Sequence, residues 1–358
     1  MLKLEYRSYI LNFKFDAGTS RGVMTEREVW FLKIYDDRIP EVYGLGEVAP
    51  LHRLSDEDPE LIPAALQQVE RNIKSLTTPL SEDSALETAA TLCPPRFASI
   101  RFGLEMGLLD LVNGGNRIIY KNDFVLGKRA IPINGLIWMG EVDFMERQIK
   151  EKVSEGYDCI KMKVGALDFD RELELIASLR KEANGVQIRV DANGAFPNNE
   201  ALHRLIKLSQ YNLHSIEQPI IPKQPEAMQL LCKKGAVDIA LDEELIGIGP
   251  MDEKRKLLEF LKPQHIVLKP TLLGGFMETS EWIGLAEELE IGWWVTSALE
   301  SNIGLNAIAQ YTSRFRDLMP QGLGTGRLFH NNFEGPLYIE KGYLHYDTDI
   351  TWDIDLFD

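Results

Sequence analysis

The sequence is poor in the features that mark redox, membrane or nucleotide-binding proteins. Its 358 residues include only three cysteines, Cys93, Cys159 and Cys232, an odd number with no C-x-x-C spacing. Neither a disulfide framework nor a zinc site is indicated, and the three read as reduced core residues. No apolar run reaches membrane-spanning length, and the start, MLKLEYRSYILNFKF, carries charges throughout and lacks the apolar stretch of a signal peptide. The expectation is a cytoplasmic protein. Positive charge is scarce as well, with 39 Lys and Arg against 55 Asp and Glu, a formal net charge of −16. Such a surface disfavours phosphate backbones and acidic lipids, which excludes nucleic acid and membrane as partners and selects no substrate. No G-x-G-x-x-G follows a first strand, so a doubly wound dinucleotide fold is only the second choice.

What is present is enough for a large core: 44% of the residues are hydrophobic and 26% charged, over a length that suits more than one domain. Up to about residue 50 the pattern favours antiparallel strands, LEYRSYILNFKF, REVWFLKIYD and YGLGEVAPL, with FDAGTSRGVMTE read as a loop between the first two. Helical periodicity follows in DEDPELIPAALQQVERNIKSL and FASIRFGLEMGLLDLVNG, so this first part is an α+β unit. From about residue 131 short apolar strands alternate with helices. Eight candidates, IPINGLIW, DCIKMKV, VQIRVDAN, LHSIEQP, VDIALDEE, QHIVLKP, GWWVTSALE and LMPQGLG, make a (β/α)8-type barrel the economical fold. The tail, EGPLYIEKGYLHYDTDITWDIDLFD, returns to strand-like sequence and is expected to pack back on the N-terminal unit.

One strand is odd. IKMKVGALDFDR places Lys161 and Lys163 inside an apolar run, and residues two apart on a strand face the same way. Alone, such a pair reads as a solvated edge strand. The neighbouring strands change that reading, because Lys163, Asp191, Glu217, Asp242, Lys269 and Ser297 follow one another at steps of 25 to 28 residues, one βα unit each. Residues at the carboxyl ends of barrel strands converge on one mouth. Three carboxylates with no histidine or cysteine among them suit a hard divalent cation such as Mg²⁺, with Mn²⁺ able to substitute. A substrate carboxylate on such a cation makes its neighbouring C–H acidic enough for a lysine base, and Lys161 beside Lys163 helps to keep that base neutral.

At these residues the chain resembles the enolase superfamily, in its muconate-lactonizing subgroup. KMK, DAN, IEQP, LDEE and LKP carry the likeness, with GLGEVAPL at 44–51 and ASIRFGLEMGLLDL at 98–111. The resemblance implies an α/β, enolase-like (β/α)7β modified TIM barrel over 126–326, with an α+β capping domain over 1–125 completed by 327–358. It implies that Asp191, Glu217 and Asp242 hold the metal, that Lys163 handles the α-proton, that Lys269 faces it, and that Glu243 pairs with Lys269. Asn193, Ser297 and the loop around Arg21 fall where substrate contacts lie, and the substrate is a small anionic carboxylate. NGLIWMG, TSALES and GLGTGRLF are similar to the dehydratase branch of the subgroup. Dipeptide epimerases usually carry a D-x-D where this chain reads GLGTG, and without it nothing holds a substrate ammonium. An N-acylamino acid racemase or dipeptide epimerase, and more distantly a non-catalytic binding protein on the same fold, are the alternatives. Oligomeric state is not legible in the sequence.

Overall fold

The computed structural model describes residues 1–19, 22–76, 80–93 and 96–357, with Thr19 described by its backbone alone. The chain opens with an antiparallel sheet of β1 (Leu2–Thr19), β2 (Gly22–Asp36) and β3 (Tyr43–Val48) in that order. The expected loop at FDAGTSRGVMTE is mostly ladder: after an irregularity between Asn12 and Ala17, pairing resumes as Ala17 with Met24, Gly18 with Val23 and Thr19 with Gly22. Polar residues hid this extension, whose backbone ladder needs no apolar alternation, although Ala17 within it is buried and Gly18 bridges to Met139.

Three helices follow, α1 (Ile62–Ile73), α2 (Glu82–Leu92) and α3 (Ala98–Val112). The sequence reading missed α2, whose apolar stripe is thin. Its start is set locally, since Ser81 Oγ accepts from Ser84 N at 3.1 Å while Ser84 Oγ accepts from Ser81 N at 2.8 Å. By contrast α3 is buried almost all round, as a helix apolar on every face must be. It lies against β3 through paired glycines. A Cβ on Gly44 would stand 1.8 Å from Gly107 O, and one on Gly46 2.0 Å from Gly103 O. The glycines of GLGEVAPL and RFGLEMG thus exist for one another.

After a short β4 (Ile131–Pro132) comes the parallel sheet. Its strands are β5 (Gly135–Ile137), β6 (Cys159–Lys163), β7 (Gln187–Asp191), β8 (Ser215–Glu217), β9 (Ile239–Leu241), β10 (His265–Leu268) and β11 (Gly292–Val295), paired in sequence order. The crossovers are α4 (Val142–Ser154), α5 (Phe169–Glu182), α6 (Asn198–Leu208), α7 (Pro225–Lys234), α8 (Met251–Leu261), α9 (Pro270–Leu273) with α10 (Gly275–Glu288), and α11 (Asn302–Thr312) after β11. Residues 320–322 are the eighth strand and close the ring. On one side Gly322 N donates to Val295 O at 2.8 Å and Gly322 O accepts from Ser297 N at 3.0 Å; on the other Gln321 N donates to Pro132 O at 2.8 Å and Gln321 O accepts from Asn134 N at 2.9 Å. The result is a (β/α)7β barrel with an α+β cap.

The tail forms the hairpin β12 (Leu337–Glu340) and β13 (Tyr343–Tyr346), which pairs with β4. It also reaches β1, where Tyr9 donates to Asn331 O at 3.0 Å and Arg7 to Leu356 O at 2.8 Å. Among the described residues no helix is long and apolar enough to cross a membrane, and all three cysteines are buried, as expected of core residues.

Three buried glutamates lock helix starts across this assembly. Glu47 accepts from Ser301 N and Gly304 N, both at 2.8 Å, at the head of α11. Glu57 accepts from Ser99 N at α3, and Glu105 from Phe276 N and Met277 N at α10. Each answers N–H groups that a helix start leaves unpaired. Burial outweighs those hydrogen bonds and raises the carboxyls, Glu47 and Glu57 to about 7 and Glu105 to about 8.

Two outcomes are expected. Gly46→Ala should lower unfolding stability by roughly 1–3 kcal/mol, the usual cost of overpacking. Gly249→Ala, whose Cβ meets nothing within 4 Å, should stay near wild type, and equal urea midpoints for the two would refute the interlock. Second, Glu57 keeps its proton in the folded chain up to about 7, whereas the unfolded chain releases it near 4.5. Stability should therefore fall as pH rises across that window, and Glu57→Gln should flatten the slope by up to about 1.4 kcal/mol per pH unit. Denaturant melts from pH 4.5 to 7.5 check the sign.

Candidate active site

Strand register builds the site. Lys163, Asp191 and Glu217 are direct partners across β6, β7 and β8, so their side chains leave the barrel wall at one level. Leu136, Lys161, Arg189 and Ser215 form the level beneath. Asp242 and Lys269 stand just past β9 and β10, at the same rim. Under them the barrel is filled by Ala240, Val267 and Trp294, with the Arg189 guanidinium 3.8 Å from the Trp294 ring centroid.

The charges interlock. Lys161 Nζ donates to Glu217 Oε2 at 2.7 Å and lies 2.9 Å from Asp191 Oδ2. Lys163 Nζ lies 3.2 Å from that same oxygen and donates to Asn193 Oδ1 at 2.7 Å. Lys269 Nζ is held by Asp242 Oδ2. Glu243 accepts from Asn193 Nδ2 at 3.1 Å, and its charge acts on Lys269, the partner the resemblance implies for it. Asn193 reaches both because its backbone is left-handed, φ 43°, a conformation asparagine tolerates better than most.

The two opposing lysines are poised differently. Burial lowers the pKa of Lys163, the positive neighbours Lys161 and Lys269 add to this, and Asp191 and Glu217 only partly restore it. Burial acts on Lys161 and Lys269 too, but is outweighed by Asp191 and Glu217 around the first and by Asp242 and Glu243 around the second, so both stay above the ordinary lysine value. Burial likewise fails against the three lysines at Asp191, which is held well below the usual carboxylate range.

Whether these acids suit a divalent cation can be judged from their chemistry. No three acid, histidine or cysteine side chains among the described residues stand in ready-made ligating geometry. Asp191 and Glu217 nevertheless converge on one positive point, the Lys161 ammonium, and Asp242 is close enough that its charge acts on Lys161 as well. All three are at least 98% buried and offer only hard oxygens, which fits Mg²⁺.

Above the charges lies a cavity of about 420 Å³. Lys161, Lys163, Asp191, Asn193, Lys269 and Ser297 line it, so the structure brings these expected residues to one space. Arg21 lies outside the described residues, although the adjoining Gly22–Met24 borders the cavity, as does Leu51–Leu54. Sequence reasoning missed Trp138, whose ring centroid is 5.9 Å from Lys163 Nζ, and Thr325, whose hydroxyl is 2.6 Å from that of Ser297. The signal was available: Trp138 precedes Lys163 and Thr325 follows Ser297 by the same βα step, and only the search for charge passed over them. Arg27 carried no such signal. Its buried guanidinium donates to Ala49 O and Ala298 O, holding Leu51–Leu54 against the loop after β11.

With the geometry in place, comparison with known proteins is direct. Residues 144–350 match the family described as enolase C-terminal domain-like, and the chain belongs to that family. Among curated proteins it is 44% identical to the o-succinylbenzoate synthase of Desulfotalea psychrophila, over 96% of this chain and 98% of that one. The L-amino acid-D/L-Glu epimerase of Sulfurimonas denitrificans is more distant, 23% identical over 77% of this chain and 79% of its own length. The crystal structure of MenC from Desulfotalea psychrophila superposes with a TM-score of 0.86 at 41% identity, covering 96% of this chain and 99% of that one. A dipeptide epimerase from Enterococcus faecalis, complexed with Mg and L-Leu-L-Tyr, gives 0.83 at 18% identity over 98% and 99%, a likeness of fold.

Proposed function

We propose that this pocket dehydrates 2-succinyl-6-hydroxy-2,4-cyclohexadiene-1-carboxylate to o-succinylbenzoate, so that the chain works as an o-succinylbenzoate synthase, a hydro-lyase of menaquinone biosynthesis. The observation that carries the reading is the unequal poise of two lysines facing one cavity: Lys163 is pushed toward neutrality and Lys269 is kept charged. A cytoplasmic setting suits such an enzyme. We assign residues 1–125 and 327–358 to the cap and 126–326 to the barrel.

Asp191, Glu217 and Asp242 would hold Mg²⁺, which supplies a positive centre for the substrate carboxylate and for the negative charge that grows there as the C–H bond breaks. Lys163 takes the α-proton. The C–H electron pair moves into the ring, the C–O bond breaks, and Lys163, now an ammonium, gives its proton to the departing hydroxyl on the same face, so water leaves and the ring becomes aromatic. Lys269 stays protonated opposite, where its charge steadies the delocalised anion and contributes a cation–π contact worth roughly 0.5–2 kcal/mol. Asn193 fixes Lys163 through its 2.7 Å hydrogen bond. Gly322, Gly324 and Thr325 leave room for the succinyl tail, and Arg27 keeps the loops around it in place.

A racemase of N-acylamino acids is the second reading, because both lysines reach the one cavity and each could exchange a proton with one face of a substrate.

The metal is tested by Asp191→Asn, Glu217→Gln and Asp242→Asn. Each should leave a folded protein with most Mg²⁺ affinity and turnover lost, seen by calorimetry and by the rise of product absorbance, and full activity of the wild type in EDTA would sink the assignment. For the lysines, Lys163→Ala should retain less than about a tenth of wild-type kcat, a barrier change of at least about 1.4 kcal/mol. With a non-eliminating α-acyl carboxylate in D₂O, exchange should depend mainly on Lys163. If Lys269→Ala loses exchange of one enantiomer and Lys163→Ala that of the other, Lys269 is a working base and a racemase activity stands beside the synthase.

A further inference from the structure

A second cavity, of about 530 Å³, lies beside the first across the barrel wall. Five residues line both: Asn134, Leu136 and Trp138 from β5 and its end, and Gly324 and Thr325 after the eighth strand. This is the seam where the barrel closes. Backbone hydrogen bonds join the two sides at Pro132, Asn134 and Gln321, and beyond them the partition is made by side chains and a glycine.

Trp138 is the largest piece of that partition, and it is firmly mounted. Its N–H donates to Gln148 Oε1 at 2.9 Å and its C=O accepts from Gln148 Nε2 at 3.0 Å, while Phe15 meets its ring edge-on at 5.7 Å. Behind it the side cavity is walled by Phe144, Tyr157 and Ile339. At its margin stand Arg327 and Lys341, exposed cations that form no ion pair with the described residues, with the exposed Glu340 beside them, whereas Lys152 is already held by Glu151 and Glu155. An aromatic-lined space ending in unpaired cations suits a chain that is apolar along its length and anionic at its tip.

We propose that the side cavity is a closed extension of the acyl-tail pocket, and that Trp138 is the specificity-determining residue that stops the tail at succinyl length. With the ring removed, the two cavities merge and admit longer ω-carboxyacyl tails, whose terminal carboxylate reaches Arg327 and Lys341. The inference rests on the synthase reading for which ligand enters the first cavity.

The test compares 2-succinyl-, 2-glutaryl- and 2-adipoylbenzoate as ligands of the full chain with Mg²⁺, by calorimetry. Wild type should favour the succinyl compound over the adipoyl compound at least tenfold. Trp138→Ala should erase or reverse that preference, Leu136→Ala should weaken it from the neighbouring position, and Trp138→Phe should keep it. Adding Ile339→Trp, on the far wall and away from the first cavity, to Trp138→Ala should restore the preference. The proposal is overturned if opening the wall leaves the ratio unchanged, if filling the far cavity restores nothing, or if wild type binds all three alike or none. Wild-type turnover of the cyclohexadiene, assayed alongside, decides the synthase reading by itself: discrimination without turnover would remove that reading and leave the gate standing.

Discussion

Buried charge must be matched by buried charge, and this requirement governs the rim of the barrel. Asp191, Glu217, Asp242 and Glu243 share that rim with Lys161, Lys163 and Lys269, all buried or nearly so. Removing one member of a buried pair costs roughly 3–5 kcal/mol, because the other is left uncompensated. Each pairing is drawn between different strands, so the set exists only when β6 to β10 hold their register to the residue. The function uses the imbalance within this set. Four acids against three lysines leave the lysines unequally compensated, and Lys163, whose charge is opposed by those of Lys161 and Lys269, has the least.

Holding that register depends on parts far from the rim. β3 can press against α3 only because glycine faces glycine, and α3 in turn meets α10 through Glu105. Glu47 leaves the same strand β3 to bind the head of α11, which follows the loop that presents Ser297. Arg27 bridges that loop to Ala49 from the neighbouring strand β2. Cap and barrel are therefore stitched by buried polar contacts that leave little freedom to the walls of the cavity. A pocket made by two units keeps its shape because the units share hydrogen bonds, not merely surface.

Much of this was legible in the sequence because a βα repeat turns a three-dimensional rim into a one-dimensional spacing. Lys163, Asp191, Glu217, Asp242, Lys269 and Ser297 align on that spacing alone. The same regularity reached Trp138 and Thr325, yet an eye looking for charge ignored an aromatic and a hydroxyl. Other features had no local trace. The bonds of Arg27 to Ala298 and of Tyr9 to Asn331 span most of the chain, and nothing near either residue encodes the partner. The extended β1–β2 hairpin and α2 were missed for the opposite reason: each is held by backbone pairing or a serine cap that needs no apolar pattern. The likeness pointed from Glu243 to Lys269, on which its charge acts, but gave no sign of the hydrogen bond it accepts from Asn193.

The seam at residues 320–322 also has a meaning in time. A ribosome delivers the chain from its first residue at about 5–20 residues per second. The strands bearing Lys163, Asp191, Glu217, Asp242 and Lys269 all emerge before the segment whose hydrogen bonds to Val295, Ser297, Pro132 and Asn134 complete the ring. Through that interval the nascent sheet has two raw edges, at β5 and β11, and its apolar interior is open between them. The last strand is thus the clasp on a growing polypeptide, and any stall in translation shortly before it would leave an open-edged sheet suited to recruiting strands from a neighbouring chain.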